Sequence, residues 1–182
     1  MKRYLPFIAA IIAFIIIHEG THALTSFFFG EYKAFHVHFF GFEVVYQTAV
    51  EDRAGIKWGY IAGLSNIITL LIGYLLFLFR KELIKTKNAF FRDMGYWAIF
   101  VFMLFDPCNL SLIPFFFGGD IGGIVVGFGV NRILLQTFFF VVLLVNRELI
   151  IHKIFPLYGI KTRHILFRPI ITCAGKPSCS SR

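Results

Sequence analysis

The chain is 182 residues long and strongly apolar, with 58% hydrophobic residues, 19% aromatic residues and a mean hydropathy of +0.76. This composition excludes an ordinary soluble domain and predicts one multi-spanning membrane domain. The formal charge of +8 does not indicate a nucleic-acid partner, because the basic residues lie between and after the apolar segments.

Four apolar segments approach the length of roughly 20 residues that a helix needs to cross the hydrocarbon core of a bilayer. They run from Tyr4 to Phe29, from Gly59 to Phe79, from Tyr96 to Pro114 and from Asn131 to Val145, the last being the shortest. We therefore expect an all-α membrane protein with about four transmembrane helices. Residues 1–152 form the predicted membrane domain, and residues 153–182 form a basic juxtamembrane tail.

The stretch "EYKAFHVHFFGFEVVYQT", between the first two segments, alternates with a period of two on either side of Gly41. This alternation predicts a short β-hairpin or a pair of short strands. At the start of the second segment, Gly59 and Gly63 form a small-xxx-small pair, which predicts close approach by another helix.

Two prolines, Pro107 and Pro114, predict a broken or kinked helix at the end of the third segment. Five glycines follow between Gly118 and Gly127. This composition predicts a flexible segment or a short re-entrant helix, which would bring Asp120 to the membrane edge.

The basic residues predict the orientation of the chain. Lys2 and Arg3 precede the first span, five basic residues lie between the second and third spans, and seven follow from Arg147 onward. The segment from Glu31 to Lys57 instead has four acids and three basic residues. By the positive-inside rule we expect a multi-pass protein of the cell membrane with both termini in the cytoplasm.

The first span contains "HEGTH", in which His18, Glu19 and His22 interrupt an aliphatic run. Positions four apart share one face of a helix, so His18 and His22 can direct ring nitrogens at one metal ion. Glu19 is placed to act as a base on a water molecule that the metal activates. With six histidines and six glutamates in the chain, the motif H-E-x-x-H is expected by chance only about 0.006 times. We interpret it as a zinc-binding motif with Glu19 as the catalytic base.

A catalytic zinc site needs at least one further protein ligand. Asp120 and Asp106 both lie at the non-cytoplasmic end of the third span, and the glycines beside Asp120 permit close backbone approach. Asp120 is therefore the preferred third ligand. Asp106 stays as the alternative, although its position before Pro107 also suits a bracing role at the helix end. His36 and His38 could reach a metal too, but such a pair in a strand is more often on the surface.

All four spans carry their polar residues at a similar depth, because successive spans run in opposite directions. This layer does not continue into the other half of the bilayer, which favours a chamber open to one face over a transport path. Its members are His18, Glu19, His22, Ser65, Asn66, Thr69, Asp106, Asn109, Asn131, Gln136 and Thr137.

Taken together, the motifs resemble the site-2 protease family of intramembrane zinc metalloproteases, in the form of a compact membrane zincin. The matching stretches are "HEGTH" in the first span, "AGLSN" near the start of the second and "NLSLIPFFFGGD" at the end of the third. The resemblance implies that His18, His22 and Asp120 bind zinc and that Glu19 is the general base.

The same resemblance implies that Asn66 and Asn109 support the oxyanion or the substrate backbone. It also implies that the hairpin holds an extended substrate by strand addition. The family's sites commonly open toward the cytoplasm, whereas the charge distribution of this chain places the site nearer the outer face.

We therefore expect a zinc-dependent membrane endopeptidase that hydrolyses peptide bonds in or near the bilayer. Its partners would be a membrane-protein or peptide substrate and the lipid bilayer. A non-catalytic membrane zinc-binding or chaperone-like protein on the same scaffold is the alternative, and a metal transporter is a third hypothesis. The sequence does not specify an oligomeric state.

Overall fold

The computed structural model describes residues 4–38, 41–162 and 164–170. Residues 39 and 40 of the predicted hairpin and residues 171–182 of the predicted tail lie outside the described residues. The elements before the glycine-rich segment are α1 (Leu5–Phe28), β1 (Tyr32–His38), β2 (Gly41–Tyr46), α2 (Lys57–Leu78), α3 (Arg80–Ile84) and α4 (Ala89–Ser111). They are followed by α5 (Asp120–Phe128), α6 (Arg132–Leu149), a π-helical turn (Ile150–Ile154) and α7 (Phe155–Leu157).

Within the described residues, four helices are long and apolar enough to cross a membrane, which agrees with the predicted number of long apolar helices. They cover Leu5–Phe28, Lys57–Leu78, Ala89–Phe115 and Arg132–Leu157 when the turns that extend α4 and α6 are included. Their outward faces are apolar and exposed; on α1, for example, Ile8, Ile12 and Ile16 form one stripe. A surface of this kind is suited to lipid.

The third and fourth helices are longer than predicted. α4 starts early because the side chain of Asn88 accepts a hydrogen bond of 2.9 Å from the backbone N–H of Phe90 and caps the helix. α6 continues past the predicted end to Leu149 and includes Arg147 and Glu148, which form an ion pair with each other. A charged pair therefore does not terminate this helix.

Helix α4 is central and packs against α1, α2 and α6. Gly73 allows α2 to approach α4 closely, since a Cβ atom at this position would lie 2.9 Å from the backbone carbonyl carbon of Phe102 in α4. Beyond α6, the chain packs back onto α4 through buried Ile150, Ile154 and Phe155. The predicted domain boundary at residue 152 falls inside this continuous segment.

Helix α5 packs against α2 through glycines on both helices. A Cβ atom at Gly127 would lie 1.9 Å from the backbone nitrogen of Gly59, and one at Gly123 would lie 2.6 Å from the Cβ atom of Ala62. The predicted close approach at Gly59 and Gly63 is thus confirmed, with α5 as the partner helix. Because α5 begins at Asp120, this contact determines where that carboxylate lies.

The predicted hairpin is present as two antiparallel strands. Phe35 pairs with Val44, His36 with Glu43 and Val37 with Phe42. In the described part of the chain this sheet has two strands, so β2 has one edge that is not paired with β1.

Glu31 anchors the hairpin to both flanking helices. Its carboxylate accepts hydrogen bonds from Lys57 Nζ and from the backbone N–H of Thr48, the latter at 3.2 Å. Its backbone N–H donates to the carbonyl of Ser26 in α1 at 2.8 Å. The hydrogen bond from Lys57 holds the pKa of the Glu31 carboxyl below its ordinary value.

Candidate metal centre

Three donor groups converge where α1 meets the start of α5. Nε2 of His18 and Nε2 of His22 lie 3.2 Å apart on one face of α1. The Asp120 carboxylate approaches both, with Oδ2 at 3.3 Å from His18 Nε2 and Oδ1 at 3.2 Å from His22 Nε2. Among the described His, Cys, Asp and Glu residues, these three form the set whose ligand atoms could hold one metal ion.

These separations are compatible with one metal ion shared by the three residues. With zinc–nitrogen and zinc–oxygen bonds of about 2.0–2.1 Å, the ligand atoms of a tetrahedral site lie about 3.3–3.4 Å from one another. The separation of 3.2 Å between the two Nε2 atoms is close to that value, and the carboxylate makes its contacts of 3.3 and 3.2 Å through different oxygens, Oδ2 to His18 and Oδ1 to His22. Two imidazoles and one carboxylate also leave the fourth tetrahedral position open, as in catalytic zinc sites.

The outer ring nitrogens of both histidines face groups that accept hydrogen bonds. Nδ1 of His22 lies 2.7 Å from the carbonyl oxygen of Ile61. Nδ1 of His18 lies 3.2 Å from Oδ1 of Asp106. A carbonyl oxygen cannot donate a proton, so the contact with Ile61 favours the His22 tautomer with its proton on Nδ1. The Nε2 lone pair of His22 then points to the place where the two imidazoles and the Ser65 hydroxyl meet. The contact between His18 and Asp106 is a close approach of two ionisable groups that does not have the geometry of a hydrogen bond.

Asp106 therefore occupies a different place from Asp120. It contacts the ring nitrogen of His18 that faces away from His22, and its other oxygen accepts a hydrogen bond from the hydroxyl of Thr69. The side chain is buried, at 1% exposure. Of the two carboxylates that the sequence left open, Asp120 lies with the Nε2 atoms of both histidines.

The two predicted asparagines both contact Asp120. Asn66 Nδ2 donates to Asp120 Oδ2 at 2.8 Å, and Asn109 Nδ2 donates to the same oxygen at 3.3 Å. Both amides therefore orient the carboxylate in this structure. Their predicted role in supporting an oxyanion or a substrate stays a prediction.

Sequence reasoning missed two neighbours of His22 as parts of the site. The hydroxyl oxygen of Ser65 lies 2.9 Å from His22 Nε2, and the carbonyl of Ile61 holds the other ring nitrogen. Ser65 could have been found as a buried hydroxyl beside Asn66 in an apolar helix. The carbonyl of Ile61 has no side-chain signal, so only the packing of α1 against α2 reveals it.

The chain enters α5 through Gly119, whose φ of +125° is a conformation that favours glycine. Asp120 is the first residue of the helix, where the partial positive charge of the N-terminus stabilises a carboxylate. The glycine-rich segment thus supplies both the turn and the close contact with α2.

A cavity of about 740 Å³ opens beside the three donors. Glu19, His22 and Asp120 reach it from the metal centre, and Glu19 is half-buried there. The rest of its lining comes from β2, the connector after it, α2 and α5, and most of these residues are apolar. Its other lining side chains include Phe42, Glu43, Val44, Val45, Tyr46, Val50, Arg53, Trp58, Ile61, Ala62 and Val126.

Tyr46 presents a neutral phenol to this cavity. Burial raises the pKa of its hydroxyl above the ordinary tyrosine value, so the group stays protonated at physiological pH. Its ring stands at right angles to that of Trp58, with the ring centroids 5.4 Å apart. The two aromatic rings form one corner of the cavity.

Of the two hairpin histidines, His36 does not join the three donors. His36 is exposed on β1 and pairs in register with Glu43. It lies outside the converging set of donors. The side chain of His38 is not among those described.

No protein-family model, curated protein or solved structure matches this chain. The resemblance to the site-2 protease family therefore depends on the motifs alone, and the function has to be argued from the site.

Proposed function

We propose that this chain is a zinc-dependent membrane endopeptidase that hydrolyses peptide bonds in or near the bilayer. The proposal is supported by the convergence of two imidazole Nε2 atoms and one carboxylate, with contacts of 3.2 and 3.3 Å, beside a cavity that Glu19 lines. Two histidines and an acidic residue are a donor set found in catalytic zinc sites.

In the proposed mechanism each residue of the site has a separate role. When bound, zinc would supply Lewis acidity, which polarises the peptide carbonyl and makes the attacking water more acidic. Glu19 would accept the proton of that water and deliver it to the leaving nitrogen. Asp106 and the carbonyl of Ile61 would hold the two imidazoles, while the amides of Asn66 and Asn109 hold the carboxylate of Asp120.

The surroundings of the site support hydrolysis of a peptide. The cavity is large enough for several residues of an extended chain, and its lining is mostly apolar. β2 lines it over Phe42–Tyr46 and has an edge not paired with β1, so strand addition would align a substrate with the site.

The proposed setting is the cell membrane, with the four long helices crossing the bilayer and both termini in the cytoplasm. The basic residues between α2 and α4 and after α6 support this orientation by the positive-inside rule. The metal centre then lies in the half of the bilayer away from the cytoplasm.

The test is to measure zinc content and peptide cleavage for the purified protein and for Glu19→Gln. The wild type should contain about one zinc ion per chain and cleave apolar peptides, since one donor set is present. Glu19→Gln should keep the zinc and lose cleavage, because it removes the proton acceptor and none of the three donors.

Glu43→Gln is the matched control, because Glu43 lines the same cavity from β2 and is not part of the donor set. Persistence of cleavage in Glu19→Gln would contradict the assigned base. Zinc without cleavage in the wild type would support the non-catalytic zinc-binding alternative.

A further inference from the structure

The cavity holds a cation that the proposed hydrolysis does not use. Arg53 lies in the connector between β2 and α2, and its guanidinium carbon lies 4.8 Å from the ring centroid of Tyr46 and 4.6 Å from that of Trp58. Because the two rings stand at 89° to one another, they hold the guanidinium from two sides. Arg53 is thus fixed in place before any ligand arrives.

The two cations near Trp58 differ in their partners. Lys57, with its ammonium 5.8 Å from the same ring, is paired with the carboxylate of Glu31. The backbone N–H of Arg53 donates to the carbonyl of Val50, but in the described ranges no ion pair or hydrogen bond joins its guanidinium to another residue, and its Nε is buried without an acceptor. An arginine has five N–H donors and no acceptor, so what this group lacks is an anion or another acceptor.

The charged residues that line the cavity determine where a negatively charged group of a ligand would bind. Among the described residues that line the cavity, Arg53 is the only lysine or arginine, and Glu19, Glu43 and Asp120 are the acids. A ligand carboxylate would avoid the acids and pair with the guanidinium. A peptide held in the cavity would therefore be oriented by the location of its negative charge.

We propose that Arg53 is a specificity-determining residue that binds a carboxylate of an otherwise apolar peptide substrate. The carboxylate belongs either to an aspartate or glutamate side chain or to the C-terminus of the peptide, because a planar guanidinium pairs with both in the same bidentate way. This inference rests on the proposed peptidase function for the identity of the ligand. It adds that the enzyme would select its substrate by one carboxylate, which pairs with Arg53, as well as by apolar contacts.

The experiment measures binding, so that it does not depend on cleavage. Four apolar octapeptides are titrated into zinc-loaded Glu19→Gln protein in detergent: one with a central glutamate and one with glutamine there, each with a free and an amidated C-terminus. The glutamate peptide or the free-acid peptide should bind about 10- to 100-fold more tightly than its neutral counterpart, as expected for a desolvated charge-assisted pair. If replacing glutamate by glutamine weakens binding, the carboxylate is that of the side chain. If amidation weakens binding, it is that of the C-terminus.

Adding Arg53→Gln to this protein should reduce that discrimination to about one-fold and leave the affinity for the neutral peptide within about two-fold. Arg53→Lys should retain part of the discrimination, because it keeps the charge and loses the planar fork. Zinc content should be unchanged in both variants, since Arg53 is not in the donor set.

Arg80→Gln is the matched control. Arg80 also stacks on an aromatic ring, with its guanidinium carbon 4.5 Å from the ring centroid of Phe77, but it is the first residue of α3, beyond the far end of α2, and does not line the cavity. Discrimination that survives Arg53→Gln, or failure of all four peptides to bind, would overturn the inference. Arg53-dependent discrimination in a protein whose wild type cleaves no peptide would instead refute the hydrolysis and leave the binding role intact.

Discussion

Nδ1 of His18 lies 3.2 Å from Oδ1 of Asp106, while Nε2 of the same ring lies 3.3 Å from Oδ2 of Asp120. One imidazole is thus held between two carboxylates that the sequence offered as competing metal ligands. The two ring nitrogens of His18 differ in their surroundings. Nε2, on the side of Asp120, also faces Nε2 of His22, whereas Nδ1 does not. In the proposed metal centre Asp120 would be a ligand, and Asp106 would orient the ring.

This division of roles predicts different results for the two aspartates. Asp120→Ala should abolish high-affinity zinc binding, because it removes one of three donors. Asp106→Asn should keep the metal but weaken zinc affinity about 10- to 100-fold, as is typical for partners of a ligating histidine. Competition with a chromogenic chelator measures both.

Asp93→Asn is the control for Asp106→Asn, because Asp93 lies on the same helix and is exposed. Zinc affinity in Asp106→Asn equal to that of the wild type would contradict the orienting role. Complete loss of zinc in that variant, with zinc retained in Asp120→Ala, would make Asp106 the third ligand.

The glycine contact between α2 and α5 predicts a structural effect on the metal centre. In Gly127→Ala the new methyl group would overlap the backbone of Gly59, so α5 has to move away from α2. We expect a loss of about 1–3 kcal/mol in the free energy of unfolding. Zinc affinity should fall as well, because Asp120 moves with its helix.

Gly122→Ala is the matched control on the same helix, since nothing lies within 4 Å of a Cβ atom there. It should be neutral or stabilising, because alanine has the higher helix propensity. Equal stability and zinc affinity in both variants would show that the glycine contact does not position Asp120.

The pairing of Glu31 with Lys57 predicts a pH-dependent contribution to stability. The pKa of Glu31 is lowered in the folded protein from an ordinary value of 4.5, so its charged form is favoured by folding. This contribution is fully present above pH 4.5 and is lost as the pH falls through the lower folded pKa. The difference in melting temperature between the wild type and Glu31→Gln should therefore shrink below pH 4.5.

The comparison should be made with both proteins free of metal, so that protonation of the histidine ligands does not contribute. Glu51→Gln, which changes an exposed glutamate in the connector after β2, should show no such dependence. A stability difference for Glu31→Gln that is constant from pH 7 to pH 3 would exclude the pairing as its cause.

If the hairpin binds the substrate, its contribution can be measured as peptide binding, without cleavage. Val44 is buried at 5% exposure, and β2 lines the cavity. Val45→Pro would remove a backbone N–H from β2 and should weaken peptide binding to the Glu19→Gln protein if strand addition operates. Val45→Thr keeps the N–H and serves as control; equal affinities in the two variants would argue against strand addition.

The elements that the sequence predicted well are those with local causes. A run of apolar residues about the length of a bilayer predicts a helix wherever it occurs, and alternation around Gly41 predicts two strands. The predicted start of α4 and the predicted end of α6 were wrong, because both helices extend over charged residues that hydropathy counts against a span, and α4 is capped at Asn88 before them. The roles of Asn66 and Asn109 required the position of α5, which the sequence did not provide.

By itself, the sequence determined that His18 and His22 share a face of an apolar helix, because a spacing of four residues places them there whatever the rest of the chain does. Only the tertiary structure decided which aspartate joins them. Asp106 and Asp120 lie near one another in the chain, and the choice depends on α5 settling against α2 through Gly59 and Gly127, a contact between distant segments. That packing also leaves the cavity in which Glu19 and Arg53 lie, so the chemistry is encoded locally and its geometry is set by long-range contacts.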